Sequence, residues 1–205
     1  EKFMREYGAE MMLEIARCWA SMAEHDQETD CYSISGVMGP DEFHEKQPGV
    51  ELPGLKDNAY TNVMVVWLLE KSLELLDSLP AEALERVSAK MGLESREAEK
   101  WRDMITKLNV VITEDGVISQ FDGYMGLPEL DWESYRKRYY SIHRMDRILK
   151  AENDSPDNYK VAKQADTLMM FYVLGPYEVC RILRQLGHDV GDPLDFLRRN
   201  YDFYE

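Results

Sequence analysis

The clearest structural signal in the chain is the stretch AYTNVMVVWLLEKSLELL, residues 59–76. Its apolar side chains recur at steps of three or four residues, which places them on one face of an α-helix. That face is formed by Ala59, Val63, Val66, Leu69, Leu73 and Leu76 and is widened by Trp67 and Leu68. The pattern predicts a long helix that buries this face in a hydrophobic core.

The same spacing predicts helices on both sides of this stretch, about eight in all and of short to moderate length. The others span residues 3–23, 80–91, 95–108, 132–149, 161–174, 177–186 and 193–201. Strand is predicted only for one small β-hairpin, residues 109–121, around the turn EDG at 114–116. Consecutive amphipathic helices pack as antiparallel pairs, and the chain has no repeat of fixed period. The expected fold is therefore all-α, a toroid of helix pairs rather than a regular solenoid.

The composition fits one domain or part of one. The 205 residues are 44% hydrophobic and 31% charged, which is typical of a globular protein. The first helical pattern is already under way at Phe3, and position 1 is not a methionine. We therefore expect residues 1–205 to be a single partial domain, cut from something longer. Helix faces that lack their partners would favour self-association, so a homo-oligomer is expected.

The chain is strongly acidic, with 39 Asp and Glu against 24 Lys and Arg and a net charge of -15. This charge repels phosphate backbones and anionic lipids, so it excludes nucleic acid and membrane as partners and favours a small neutral or sugar-like substrate. The chain shows neither a signal peptide nor an apolar run of about 20 residues, which predicts a cytoplasmic protein. Its three widely spaced cysteines lack a C-x-x-C pattern, so we expect no disulfide framework and no metal.

A cluster of acidic residues precedes the long helix in the stretch GPDEFHE, residues 39–45. Gly39 and Pro40 mark a turn, and the polar residues after them have no place in a hydrophobic pattern. Because Glu42 has acidic neighbours, at least one carboxyl of the cluster is expected to have a raised pKa, as a general acid for glycoside cleavage requires. Acidic runs more often cover a surface, and charge alone favours that interpretation.

Three other chemistries are weaker interpretations of the same stretch. The tetrapeptide DEFH, residues 41–44, matches the D-E-x-H of a helicase, but no hydrophobic strand precedes it and no G-x-x-x-x-G-K-[ST] loop occurs. His44 and Glu45 lack the second histidine of a zinc protease. Spacing leaves a Ser-His-Asp triad open, although the chain has no G-x-S-x-G elbow.

A second candidate motif is KQAD, residues 163–166, at the N-terminal end of the predicted helix 161–174. Unpaired backbone N–H groups at a helix start favour anions and sugar hydroxyls, and Lys163 and Gln164 add a cation and an amide. The alternative is an ordinary helix start with exposed polar residues, which spacing alone favours. The stretch QFDGY, residues 120–124, could line a pocket rim or form a simple turn.

Taken together, five segments resemble glycoside hydrolase family 65, the inverting disaccharide phosphorylases such as maltose, kojibiose and trehalose phosphorylase. The segments are GAEMMLEIARCWAS (8–21), GVMGPDEFHE (36–45), NAYTN (58–62), ISQFDGY (118–124) and KQAD (163–166). Each alone is a weak signal, but all five occur in the family's order and make a strong match. The resemblance implies an (α/α)6 barrel catalytic domain, of which residues 1–205 would form a single part that is truncated at both ends.

By this resemblance Glu42 is the catalytic general acid, which protonates the glycosidic oxygen while inorganic phosphate attacks the anomeric carbon from the opposite face. Cleavage of an α-glucoside then yields β-glucose 1-phosphate, with phosphate as a co-substrate and no cofactor. Lys163 and Gln164 match residues that hold the glucosyl unit near the phosphate. In the family, the groups that bind phosphate follow a segment like Tyr204-Glu205, so the 205 residues alone are expected to be inactive.

Two departures from the family pattern leave the acceptor sugar open. The link of residues 46–56 is longer than in the best-known members and lies beside the acid, and the stretch MGL at 125–127 replaces aromatic and acidic residues. The nearest alternative function is an inverting α-glucoside hydrolase, in which a carboxylate outside these residues activates water. The alternative from a different class is a noncatalytic helical binding module.

Overall fold

The computed structural model describes residues 2–205, and most of its regular structure is helical. A short π-helical segment, Met4–Gly8, runs directly into α1, Ala9–Met22. The other α-helices of the described chain are α2 (Ala59–Ser78), α3 (Ala81–Met91), α4 (Ser95–Lys107), α5 (Trp132–Arg138), α6 (Met145–Ala151), α7 (Asp166–Leu174), α8 (Pro176–Gln185) and α9 (Pro193–Tyr204). Two short 3-10 helices, Tyr124–Gly126 and Pro156–Asn158, lie in the loops.

Helix α2 is central to the main hydrophobic core, as the sequence predicts. It packs against α1, α4, α7 and α8. Asn58 caps its first turn, because Oδ1 of Asn58 accepts a hydrogen bond from the backbone N–H of Thr61 at 2.9 Å. The predicted face is buried from Ala59 to Leu73, and Val65 beside it is buried as well. Each large apolar side chain buried in this way stabilises the fold by about 1.5–3 kcal/mol.

The hairpin lies in a different place from the predicted one. Its antiparallel strands are β1 (Ala23–Asp26) and β2 (Cys31–Ile34), with Ala23 opposite Ile34. Only Ala23 is buried in β1, and the three residues after it are polar and exposed. The strand therefore lacks the alternation of apolar and polar residues by which a sequence reveals a half-buried strand.

The hairpin predicted for residues 109–121 is only partly formed. A single antiparallel bridge joins Ile112 and Ile118. The start of this segment bonds to β2 instead, because the backbone N–H of Asn109 donates to the carbonyl of Tyr32 at 2.8 Å. Tertiary contact with β2 thus competes with the local pairing that the sequence indicates.

The helix predicted for residues 132–149 is two helices, α5 and α6. The hydroxyls of Tyr135 and Tyr139 donate to the carboxylate of Glu152 at 2.9 and 2.6 Å, and Glu152 directly follows α6. A continuous helix would separate positions 139 and 152 by about 20 Å along its axis. The chain therefore breaks after Arg138 and folds α6 back toward the end of α5.

The start of α7 also differs from the prediction. The helix begins at Asp166 rather than near Val161, so Lys163 and Gln164 lie in the non-helical segment before it. The interpretation of these two residues as the first turn of a helix is therefore wrong. The backbone N–H of Lys163 donates to the side chain of Asp41, so this segment is attached to the acidic turn before the helix begins.

The loop between β2 and α2 is anchored by two small hydrophobic clusters. Phe43 packs with Leu130, Tyr135, Met145, Leu149 and Val161. Leu55 packs with Phe121, Tyr124 and Leu127. The acidic stretch is thus held in place by apolar contacts before and after it.

Within residues 2–205, no helix is long and apolar enough to cross a membrane, and no group of three potential metal ligands occurs.

Candidate active site

Two segments that are far apart in the sequence, residues 39–43 and 163–166, meet in the structure; we call them together the clasp. The backbone N–H of Asp41 donates to Oδ1 of Asp166 at 2.6 Å, a partner 125 positions away. In return, Oδ1 of Asp41 accepts the backbone N–H of Lys163 at 2.9 Å. Two buried carboxylates therefore tie the acidic turn to the start of α7.

Gly39 lets the carboxylate of Asp166 lie directly against the turn. A Cβ at position 39 would come within 1.8 Å of Oδ2 of Asp166. The same Oδ2 accepts a hydrogen bond from Nδ2 of Asn58 at 2.6 Å, and the backbone N–H of Asp166 donates to Oε1 of Gln120 at 2.7 Å. Asn58, Gln120 and Asp166 are fully buried. The turn therefore packs on a buried polar cluster that leaves no room for a side chain at position 39.

Glu42 extends from the turn toward Lys163. Oε2 of Glu42 accepts a hydrogen bond from Nζ of Lys163 at 2.6 Å, and 64% of the Glu42 side chain is exposed. The hydrogen bond and charge of Lys163 hold the pKa of Glu42 below its ordinary value of 4.5, with a smaller contribution from Gln164. The raised pKa expected within the acidic stretch is therefore wrong for Glu42. The carboxylate of its neighbour Asp41 points inward and accepts the backbone N–H groups of Phe43 and Lys163.

The carboxyl with a raised pKa in the clasp is Asp166. Burial raises its pKa from 3.8 to about 6, against the opposing effect of the hydrogen bonds from Asn58 and Asp41. The nearby charge of Asp41 acts in the same direction as burial. Because Asp166 is fully buried against the turn, it is not placed to protonate a bound sugar.

Glu42 lines a polar cavity of about 520 Å³. The other lining residues are Phe43, Glu45, Lys46, Glu51, Pro53, Asp146, Lys150, Asp154, Ser155, Pro156 and Asp157. Sites for small molecules commonly measure about 300–1,000 Å³, so this cavity can hold a sugar unit. Its carboxylates offer many hydrogen-bond acceptors to hydroxyl groups. The link of residues 46–56 supplies part of this wall.

The first residues of the turn face a second cavity of opposite character. It measures about 450 Å³ and is mainly apolar, lined by Trp19, Met38, Gly39, Pro40, Tyr60, Thr61, Met64, Val65, Trp67 and Leu68. Gly39 and Pro40 thus belong to an apolar wall, whereas Glu42 belongs to the polar one. The short turn between them separates the two cavities.

His44 supports the turn and is not a free reagent. It is fully buried, with Nδ1 at 3.0 Å from Oδ2 of Asp41 and Nε2 at 3.1 Å from the carbonyl oxygen of Tyr159. Its ring packs edge-on against Phe121 and Tyr124, with centroids 5.0 and 5.6 Å away. Both ring nitrogens have a hydrogen-bond partner, so His44 holds the side chain of Asp41 in position under the turn.

The structure brings together Glu42, Lys163 and Gln164, which the sequence singled out through the family resemblance. Gln164 contacts the turn itself, because its Nε2 donates to the carbonyl of Pro40. Sequence reasoning missed the buried role of Asp166, although this residue lies in the KQAD motif. A polar residue that bonds across such a distance in sequence leaves no periodic pattern that would reveal its partner.

Comparison with known proteins assigns the family. The family described as "Glycosyl hydrolase family 65 central catalytic domain" matches residues 1–205. The chain belongs to glycosyl hydrolase family 65. The family resemblance drawn from five sequence segments is thereby confirmed.

Relatives of this family-65 chain are much longer than the chain itself. An uncharacterized glycosyl hydrolase of Mycobacterium tuberculosis is 46% identical over 187 residues, which are 91% of this chain and 14% of that protein. The trehalose 6-phosphate phosphorylase of Lactococcus lactis is 41% identical over 207 residues, which are 100% of this chain and 25% of that protein. The chain therefore spans a quarter or less of the length of these relatives.

A solved structure of another protein has the same fold. It is a protein from the human microbiome proposed to be a kojibiose phosphorylase, and it matches with a TM-score of 0.72 at 22% identity over 99% of this chain and 26% of that chain. The predicted fold class is confirmed, because the chain forms part of the (α/α)6 barrel of the family-65 catalytic domain.

Proposed function

We propose that the complete protein containing this chain is an inverting glycoside phosphorylase. It would cleave an α-linked glucose disaccharide or glucoside with inorganic phosphate and release β-glucose 1-phosphate. The observation that carries this proposal is the 2.6 Å contact between Glu42 and Lys163 beside a polar cavity of sugar size. The name of the Lactococcus lactis relative, a phosphorylase of a phosphorylated disaccharide, supports the same reaction class.

Glu42 acts in this proposal as the proton donor. It protonates the glycosidic oxygen as the C–O bond breaks, so the acceptor leaves as an alcohol. An oxygen of hydrogen phosphate forms the new bond to the anomeric carbon from the opposite face. The proton that hydrogen phosphate carried is then available to return Glu42 to its acid form. The cycle balances without a second protein carboxylate as base.

Lys163 sets the state of the acid before substrate binds. Because Lys163 holds the pKa of Glu42 below 4.5, the carboxyl is ionised at neutral pH in the free site. We propose that hydroxyls of the glucosyl unit draw Lys163 and Gln164 away from the turn. Loss of the lysine partner and burial beneath the sugar then raise the pKa of Glu42, so it can hold the proton it must donate.

The proposal names few partners. The substrates are a small sugar molecule and phosphate, and neither a metal nor an organic cofactor takes part. We propose neither nucleic acid nor a membrane as a partner, because the acidic net charge of the chain repels both. A homo-oligomeric state and a cytoplasmic location stay predictions from the sequence.

The test uses the complete protein and a panel of α-glucobioses with and without phosphate. We expect release of glucose 1-phosphate only when phosphate is present, with the β configuration at the new bond in proton NMR spectra. Glu42→Gln should lower kcat by about 10²-fold or more, because an amide cannot donate the required proton. The matched control is Glu114→Gln, which changes an exposed acid outside this cavity and should retain kcat within a few-fold.

One alternative function has a specific observation in its favour. The relative from Mycobacterium tuberculosis is named a glycosyl hydrolase, and an inverting α-glucoside hydrolase would use the same acid. Release of free glucose at the same rate without phosphate would establish hydrolysis and overturn the phosphorylase. Undiminished turnover by Glu42→Gln would overturn both the phosphorylase and the hydrolase. It would favour a noncatalytic binding role for these residues, with the catalytic groups elsewhere in the complete protein.

A further inference from the structure

The structure contains a buried carboxylate that the proposed reaction does not use. We propose that Asp166 is a positioning residue: its carboxylate holds the turn that bears Glu42, and so controls how well the proton reaches the departing sugar. This inference rests on the proposed function of Glu42. It concerns a residue that touches no substrate and acts through the backbone of the turn.

Both oxygens of Asp166 are committed to neighbouring groups. Oδ1 accepts the backbone N–H of Asp41 at 2.6 Å, and Oδ2 accepts Nδ2 of Asn58 at 2.6 Å. The N–H of Asp41 belongs to the peptide that joins Pro40 to Asp41, so the first of these bonds fixes the backbone one residue before Glu42. The second fixes the carboxylate to the cap of α2, the central helix of the core. Asp166 thus connects the acid-bearing backbone to a rigid element.

The same bonds control the distance between Glu42 and Lys163. Asp41, held through its N–H by Asp166, uses its own Oδ1 to hold the N–H of Lys163 at 2.9 Å. Loss of Asp166 frees one end of this chain of bonds. The turn can then shift relative to Lys163, and a displacement of about 1 Å in a reacting group lowers a rate by as much as about 10²-fold.

An amide cannot replace this carboxylate. Oδ1 of Asn58 accepts the backbone N–H and the hydroxyl of Thr61, both at 2.9 Å, so the NH₂ group of Asn58 must face Asp166. The other partner of Asp166, the N–H of Asp41, is also a donor. An amide at position 166 would direct its own NH₂ group at one of these two donors. Only a group with two acceptor oxygens satisfies both.

The titratable groups that interact with Asp166 come from three parts of the fold. Asp41 and His44 face it from the turn, Tyr124 from the 3-10 helix, and Tyr204 from α9. Burial raises the pKa of Asp166 to about 6. The site therefore keeps an ionised carboxylate at neutral pH despite an unfavourable environment, which is understandable if both acceptor oxygens are needed.

The test compares Asp166→Asn with wild type in the complete protein, on two substrates with phosphate present. An α-glucobiose needs a proton from Glu42 for its leaving group, whereas α-glucosyl fluoride leaves with little assistance. We expect Asp166→Asn to lower kcat on the disaccharide by about 10- to 100-fold and on the fluoride by less than about 3-fold. A residue that only stabilises the fold would lower both rates equally.

A charge exchange provides the matched control. The double variant Asn58→Asp/Asp166→Asn gives the new amide at position 166 an acceptor, since the new carboxylate at position 58 can accept both the Thr61 bonds and that amide. It leaves the carbonyl of Gln120 without the 3.3 Å bond from Nδ2 of Asn58. It should therefore recover part of the disaccharide rate lost in Asp166→Asn, about 3-fold or more. If Asp166→Asn does not fold, Asp166→Glu carries the test, because it keeps two acceptors but displaces them by one methylene group.

Two results would overturn the inference, and neither is confused with failure of the proposed function. Equal loss on both substrates would reduce Asp166 to a folding role. An unchanged disaccharide rate in Asp166→Asn would remove its role altogether. If Glu42→Gln instead keeps the full disaccharide rate, the assignment of the acid itself fails.

Discussion

The clasp and the tip of the loop that follows it, residues 48–54, are held by different kinds of hydrogen bond. In the clasp, buried carboxylates bond to backbone N–H groups more than 120 positions away. The start of the loop is also held by a distant carboxylate, because Oδ1 of Asp157 accepts the N–H of Glu45 at 2.8 Å. At the tip, backbone groups bond to near neighbours, as from the N–H of Gly54 to the carbonyl of Glu45 at 2.7 Å, and Leu52 is 74% exposed. The position of the acid thus depends on tertiary contacts, whereas the tip of the neighbouring loop is built locally.

This difference separates the position of the acid from the shape of the cavity wall beside it. A locally built loop tip can change its sequence without moving the turn that carries Glu42. Changes within residues 48–54 are therefore compatible with an intact acid site. We expect substitutions in the clasp to affect the chemical step and substitutions in the loop to affect the choice of acceptor.

The largest effect is expected from Gly39→Ala. The added methyl group would lie 1.8 Å from Oδ2 of Asp166, so the turn must move away from its anchor. We expect kcat on a disaccharide to fall by about 10²-fold and the free energy of unfolding to fall by about 1–3 kcal/mol. Urea unfolding and steady-state kinetics of the complete protein measure both quantities.

Gly126→Ala is the control for this substitution. A Cβ at Gly126 meets nothing within 4 Å, so both quantities should stay near the wild-type values. Equal behaviour of the two alanine variants would contradict the close contact between the turn and Asp166.

A comparable effect on stability, without the loss of kcat, is expected from pH acting on Asp166. Its folded pKa of about 6 lies above the ordinary value of 3.8 that holds in the unfolded chain. The folded state therefore binds this proton more tightly, and the stability it contributes is lost as pH rises from about 4 to about 6. The loss is at most about 3 kcal/mol, since one pKa unit corresponds to about 1.4 kcal/mol. Urea midpoints at several pH values measure it.

Asp166→Asn supplies the reference for this pH dependence. The variant has no titrating group at position 166, so its stability should vary less than that of wild type between pH 4 and pH 6. If the urea midpoints of the two proteins changed equally with pH, Asp166 would not titrate between pH 4 and pH 6.

The smallest effect on stability is expected from Leu52→Ser at the tip of the loop. Because this side chain is largely exposed, the free energy of unfolding should change by less than about 0.5 kcal/mol. The KM for an acceptor sugar in the reverse reaction should change, while kcat on α-glucosyl fluoride with phosphate stays the same. A large loss of the fluoride rate would contradict the separation between loop and clasp.

Helix positions could be predicted from the sequence wherever local signals dominate. The start of α9 is an example, because Asp192 accepts the N–H of Leu194 at 2.9 Å and Pro193 is the first helical residue, as the capping pattern indicates. The split between α5 and α6 could not be predicted, since it depends on Glu152 meeting two tyrosines across the break.

The site was predictable in its residues but not in its electrostatics. The motifs identified Glu42 and Lys163, and the structure places their charged atoms 2.6 Å apart. The expected rise in pKa assumed that neighbours in sequence are neighbours in space. Asp41 turns away to bond with backbone groups, and a lysine from a distant segment takes its place beside Glu42.

The missing side chain at Gly39 has a consequence for protein engineering. Positions 39, 58 and 166 form one interlocking set, in which a methyl group, a reversed amide or a lost acceptor at any single site disrupts the other two. A designer who transplants this proton-donating turn into another scaffold must graft all three positions together, and random mutagenesis that samples one codon at a time will seldom find an exchange that works.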